Sequence, residues 1–176
     1  MNKKNLDILS LVQIAMLSAI LSVLAQISIP IPGGVPITLQ TFGIFVIGML
    51  LGPVKGTLSI LLYLALGAVG IPVFANFKSG LSALVGPTGG FLIGFLPMVF
   101  MVGLGAKFKF SMQLFCNILG LIACYLFGLG MYYIFTSNTG LIYSLPTMLV
   151  KDFIISVVAV LFVKSLKPQL KSLMRN

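Results

Sequence analysis

From Ile8 to Val163 the only charged residues are Lys55, Lys78, Lys107, Lys109, Lys151 and Asp152. A soluble domain carries about 25% charged residues. Here 7% are charged and 59% hydrophobic, with mean hydropathy +1.18. Such a chain has too little polar surface to face water, so lipid must be its solvent. Its length suits one compact membrane domain over 1–176. The expected fold class is all-α, an integral membrane bundle.

Six apolar spans can be read, at about 8–28, 37–51, 54–70, 89–106, 112–135 and 145–163. The first would run roughly 31 Å as a helix, enough for the hydrocarbon core; the second is short. Prolines punctuate them: Pro30, Pro32 and Pro36 after the first, Pro53 between the second and third, Pro72 after the third, Pro87 before the fourth, and Pro146 at the start of the sixth. Gly-Pro-x-x-Gly occurs from Gly52 and again from Gly86, each reading as a helix start with proline in the first turn. Two copies do not make a repeat fold.

Basic residues set the orientation. With the N-terminus inside, Lys3, Lys4, Lys55, Lys107, Lys109, Lys164, Lys167, Lys171 and Arg175 fall on the cytoplasmic side, and only Lys78 and Lys151 on the other. This positive-inside pattern places both termini in the cytoplasm of a multi-pass protein of the cell membrane. The net charge of +9 is then mostly topology, with some attraction to anionic headgroups of the bilayer. Its dispersal gives no reason to expect nucleic acid. The first span is longer than a signal-peptide core of about 7–15 residues and reads as a retained helix. Cys116 and Cys124 sit about 12 Å apart along the predicted fifth helix, too far for a disulfide.

Much chemistry is excluded. The chain has no histidine, and its acids are Asp7 and Asp152. No paired carboxylate, Cys/His metal spacing or Ser-His-Asp set is available, and no Walker A pattern occurs. Neither an enzyme, a metal, a cofactor nor an ATPase site is expected. Lys151 adjoins Asp152, but neighbouring helix residues are not expected to share a face.

Asp152 is the leading ligand-contact candidate, because a carboxylate at mid-bilayer costs roughly 2.5–3.5 kcal/mol on insertion scales. Two apolar connections, 29–40 and 70–86, lie on its side of the membrane. Non-helical backbone at that depth must be satisfied by protein or line a cavity, so both are expected to close a pocket on the extracellular side; packed surface loops are the plainer alternative. Ala15, Ser18, Ala19 and Ser22 make a small-residue face on the first span, which spacing alone assigns to packing within the chain. Gly86, Gly90 and Gly94 are expected to pack internally on the fourth.

The run QISIPIPGGVPITLQTF from Gln26 to Phe42 resembles the signature of the BioY family. So do Leu51-Gly52-Pro53, GAVGIPVF over 67–74 and LVGPTGGFLIGF over 84–95. The resemblance is close over about 10–110 and weaker in the last third. It implies a six-helix S component of an energy-coupling factor (ECF) transporter. Such a subunit binds biotin from outside and works with a membrane T component and two cytoplasmic ATPases. Ala15 and Ala19 resemble the Ala-x-x-x-Ala docking motif for the T component, which favours a partner for that face. Asp152 matches the family's ligand-binding acid. Many relatives have Lys three residues later, where this chain has Ile155, with Lys151 ahead of the acid instead; some have Asn where it has Ser82.

With biotin as ligand, Asp152 would accept a ureido N–H. Phe74, Tyr63 and Phe91 would wall the rings. Lys78, Ser79, Ser82, Asn76 or backbone N–H groups would take the valerate carboxylate, and Lys151 would either enter the pocket or point away. An S component for another vitamin, a membrane assembly subunit without a ligand, and a membrane enzyme are the alternatives.

Overall fold

A computed structural model describes residues 7–29, 35–136 and 141–173, with their side chains except at 141–144 and 170–173. Pro30, Ile31, Pro32, Gly33 and Gly34 of the first connection, and Lys3, Lys4 and Arg175 of the charge pattern, lie outside the described residues.

The chain begins with α1 (Ile8–Gln26), started by Asp7, whose carboxylate accepts from the Ser10 N–H at 3.1 Å. A bond from the Ser10 hydroxyl, and after it this backbone bond, hold the Asp7 carboxyl below its usual pKa. A depressed acid stabilises above its unfolded pKa, and that help is lost as pH falls through the folded value. A two-rung antiparallel ribbon follows, β1 (Ser28–Ile29) on β2 (Ile37–Thr38), pairing Ser28 with Thr38 and Ile29 with Ile37.

The assigned helix α2 (Gln40–Ala68) is two rods folded back on each other at Gly52, whose φ of 76° suits glycine. Pro53 then opens the second rod, where its missing N–H costs nothing. A methyl group on Gly56 would lie 3.5 Å from the Gly48 Cα, and Gln40 bonds Tyr63 at 2.8 Å. In a straight helix those pairs would stand about 12 and 35 Å apart. The expected second and third spans are therefore antiparallel arms of this hairpin.

After a 3₁₀ turn (Ala75–Phe77) and the one-turn α3 (Leu81–Leu84) come α4 (Gly89–Gly105), α5 (Phe110–Thr136) and α6 (Leu141–Leu173). The six rods thus run up and down. Pro146, expected to open the sixth span, lies inside α6, which starts earlier at Leu141.

Small residues let α4 sit at the centre. A side chain on Gly48 would strike Val102 at 2.7 Å, one on Gly94 would meet the Cys124 backbone at 2.9 Å, and one on Gly90 the Phe127 carbonyl. So α4 seats against α2 on one side and α5 on the other, by the close approach small residues allow in membranes. Gly90 and Gly94 pack internally as their spacing suggests, while Gly86 faces the Ser82 carbonyl. Leu21, Ile44, Phe45, Ile60, Met98, Val99 and Val102 form the core. Large apolar side chains such as Val12, Ile122, Leu126, Phe127, Ile154 and Leu161 point outward, the reverse of a soluble surface and the expected one in lipid.

The small face of α1 divides. Ser18 is buried and Ser22 half-buried, its hydroxyl donating to the Ser18 carbonyl at 3.0 Å, whereas Ala15 and Ala19 are exposed. The four residues straddle the boundary between core and surface, and internal packing does not claim the alanine pair.

The two ends of the bundle differ in charge. Lys55, Lys107, Lys109, Lys164 and Lys167 gather at the end holding Asp7 and the Gly52 turn. There Lys55 donates to the Ser10 hydroxyl and Lys167 to the Ala106 carbonyl at 3.1 Å. Lys78 and Lys151 lie at the other end, with the pocket.

Candidate functional site

The pocket opens where α1 and α5 end, where α4 and α6 begin, and where both arms of α2 terminate. Its lining is mostly apolar with a few placed polar groups, the character of small-molecule sites. Val35 and Pro36 from the first connection line its upper wall, with Phe74, Ala75, Asn76 and Lys78 from the second. Phe91, Leu92 and Phe95 of α4 and Leu121, Cys124 and Tyr125 of α5 form the apolar and aromatic side. Thr41 of α2 and Met148, Lys151 and Asp152 of α6 complete the ring.

Asp152 is 2% exposed, so its charge must be compensated in place. Thr41 donates to Oδ1 at 2.9 Å and Tyr125 to Oδ2 at 2.6 Å. Lys151 Nζ stands 2.7 Å from Oδ1. This pair corrects the expectation that adjacent helix residues stay apart: the long lysine stem curls back to its neighbour although the two Cβ atoms diverge. A carboxylate offers about four lone-pair sites. Three are taken, two on Oδ1 and one on Oδ2, so among the described residues Oδ2 of this pocket-lining carboxylate keeps room for one more donor.

A second polar chain stiffens the floor. The Thr38 hydroxyl donates to Gln40 Oε1 at 2.9 Å, Gln40 Nε2 to the Tyr63 hydroxyl at 2.8 Å, and that hydroxyl to the Val73 carbonyl at 3.1 Å. All four are buried. Tyr63 therefore lies behind the wall, its ring edge-on to Phe74 at 5.5 Å. Phe74 drops onto Gly67, where any side chain would collide with its ring. Phe91 packs edge-on to Tyr125 at 5.9 Å, fixing the ring that carries the hydroxyl to Asp152.

Of the residues picked out from sequence, Asp152, Lys151, Phe74, Asn76, Lys78 and Phe91 line this one cavity. Tyr63 supports it from behind. Ser79 and Ser82 are not among its lining residues. Around the extended backbone of Lys78 successive side chains alternate in direction, so Lys78 facing the cavity turns Ser79 away; on α3 it is Ala83, not Ser82, that lines the cavity.

Thr41 and Tyr125 escaped notice. Tyr125 is far from Asp152 in sequence and on another helix, so no spacing links them. The available signal was a phenol in an apolar helix, whose O–H needs a partner. Tyr125→Phe strips one donor from Asp152 and should weaken ligand binding by about 0.5–2 kcal/mol. Titration calorimetry on the purified variant checks this, and unchanged affinity would show that the hydroxyl does not set the acceptor's geometry.

Two lysines and one carboxylate leave the lined cavity with a net charge of +1. Its polar groups are few and converge on one acceptor, while the rest is aromatic or aliphatic. That arrangement suits a small, largely apolar molecule with at least one N–H, and the formal charge favours an anion.

A model described as the BioY family matches residues 1–172. The "Probable biotin transporter BioY" of Pyrococcus horikoshii is 46% identical over 115 residues, covering 65% of this chain and 68% of the relative. The "Biotin transporter BioY" of Thermotoga maritima is 46% identical over 120 residues, 67% of this chain and 70% of the relative. A crystal structure of "the S-component for biotin from an ECF-type ABC transporter" superposes with TM-score 0.81 at 30% identity, covering 96% of this chain and 95% of that one.

Proposed function

The chain belongs to the BioY family, and from that membership we propose that it is a biotin-capture subunit of a vitamin uptake transporter. The observation that carries the reading is the open acceptor on Asp152 inside a cavity of net charge +1. Biotin's ureido ring brings N–H donors, and one fills the vacancy on Oδ2 as a charge-assisted bond. Phe74 and Phe91 take the fused rings. The valerate tail reaches the mouth, where Lys78 and Asn76 meet its carboxylate. Its negative charge complements the cavity, whereas a cationic vitamin such as thiamin would be repelled.

The energy comes from elsewhere. The chain has no Walker A pattern, and the S components it resembles work with a membrane T component and two cytoplasmic ATPases, which would supply the energy here. The exposed Ala15–Ala19 face of α1 is the docking surface, because two methyl-sized side chains let a partner helix come close. The test is uptake of labelled biotin in a biotin auxotroph. The chain with the energising module should accumulate biotin, and excess thiamin or riboflavin should not compete. Accumulation blocked by another vitamin instead would overturn the assignment of ligand.

The pocket faces outward and both termini lie in the cytoplasm. The gathering of Lys55, Lys107, Lys109, Lys164 and Lys167 at the far end supports this. With Cys116 and Cys124 removed, a cysteine at Lys78 should react with an impermeant maleimide in intact cells. Cysteines at Lys107, Asn2 and Ser172 should react only after permeabilisation. Labelling of Lys107→Cys from outside would invert the topology.

A further inference from the structure

The loop that forms one wall of the pocket is held by a residue that lies outside the pocket. Residues 74–78 close on themselves through the Phe74 N–H, which donates to the Lys78 carbonyl at 3.1 Å. Within that closure Asn76 has φ 58° and Phe77 φ 56°. Asparagine tolerates the left-handed region, but a bulky aromatic rarely adopts it. Phe77 is 70% exposed, so burial does not compensate. Such a conformation persists where its surroundings over-determine it.

The surroundings here are the end of α1. Gln26 Nε2 donates to the Phe74 carbonyl at 3.2 Å, and Gln26 Oε1 accepts the Phe77 N–H at 2.9 Å. Nε2 also lies 3.1 Å from the Ser22 carbonyl of its own helix, which fixes the side chain's direction. Next to it the Ser28 hydroxyl donates to Asn76 Oδ1 at 2.6 Å. One amide thus grips the loop ahead of the left-handed pair, at the Phe74 carbonyl, and within it, at the Phe77 N–H. A carboxamide carries a donor and an acceptor on one planar head, and asparagine is a methylene shorter.

We propose that Gln26 is a positioning residue: a latch from α1 that holds the 74–78 loop in the shape that presents Phe74, Asn76 and Lys78 to the ligand. It touches no ligand atom itself. The affinity part of this proposal rests on the biotin reading above; the loop-order part does not. The latch joins the pocket wall to α1, the helix whose outer face bears Ala15 and Ala19, whereas the loop's covalent anchor is α2.

Hydrogen–deuterium exchange on the ligand-free protein tests the latch, using Gln26→Met, of similar length without polar atoms, and Gln26→Glu, which keeps the acceptor for Phe77 and loses the donor for Phe74. In Gln26→Met, exchange of the 74–78 amides should rise about tenfold, the effect of losing a modest hydrogen bond. Exchange in α4, α5 and α6 should stay at wild-type level. Gln26→Glu should fall between. Biotin Kd should rise by a similar factor in Gln26→Met, and saturating biotin should restore loop protection. Unchanged exchange over 74–78 in both variants would overturn the proposal. So would a rise spread evenly over the helices, which would make Gln26 a general fold residue. A wild-type protein indifferent to biotin would sink the ligand assignment and leave the exchange result standing.

Discussion

Asp152→Asn should weaken biotin binding by about 1.5–3 kcal/mol, roughly tenfold to 150-fold, the range for a hydrogen bond to a charged group. Three donors converge on this carboxylate, from Thr41, Tyr125 and Lys151. Asparagine keeps one oxygen, so it can satisfy part of the set, but its NH₂ puts a donor where the ligand's N–H should land. The variant also leaves Lys151 without its counter-charge, raising the net charge of the cavity. Lys151 is 20% exposed in its side chain and can turn toward the mouth, so the fold should survive. Asp152→Ala should be worse, since it also leaves the Thr41 and Tyr125 hydroxyls without their acceptor. Calorimetric titration with melting temperatures separates the two effects. Near-normal affinity in a well-folded Asp152→Asn protein would remove the carboxylate from the binding site.

Replacing Ala15 and Ala19 together with leucine should separate capture from uptake. Both positions are exposed, and surface substitutions away from packed features usually change stability by no more than about 0.5 kcal/mol. Melting temperature and biotin affinity of the purified subunit should therefore match wild type. Uptake with the energising module should fall by on the order of tenfold or more, because the larger side chains prevent close helix approach, and the T component should no longer co-purify. A variant that binds biotin and still co-purifies would refute docking through this face. A variant that melts early would return the alanines to internal packing.

What was legible in the sequence follows from which forces are local. Long apolar runs pointed to a helical membrane bundle, because helix length and lipid thickness are properties of a single segment, whereas Pro146, read as a helix start, lies inside α6. Gly52-Pro53 marked the reversal in α2, since a left-handed glycine followed by a first-turn proline acts within a few residues. Asp152 stood out by itself, since charge in an apolar helix is conspicuous wherever the chain folds. The other groups around it did not. Thr41 and Tyr125 reach Asp152 from two other helices, and the bonds between them exist only once α2, α5 and α6 are packed. Lys151 shows the opposite error: periodicity set it apart from Asp152, and a flexible four-carbon stem brought it back. Ser79 and Ser82 had suitable chemistry in a suitable segment, but the extended backbone at Lys78 and the single turn of α3 leave them outside the pocket lining, and no composition reveals that. Gln26 was visible in the family-like signature without a role, because its partners Phe74 and Phe77 lie in a different loop.

The central claim is that this chain by itself holds biotin through Asp152 in a cavity of net charge +1. The most direct measurement is equilibrium binding of labelled biotin to the purified chain, free of partner subunits and prepared from biotin-depleted cells. Unlabelled biotin, biotin methyl ester, thiamin and riboflavin serve as competitors. Saturable binding of one biotin per chain is expected, with biotin the best competitor, the uncharged ester weaker and the other vitamins inert. Failure of the isolated chain to bind biotin, or displacement of biotin by thiamin as readily as by biotin itself, would contradict the account.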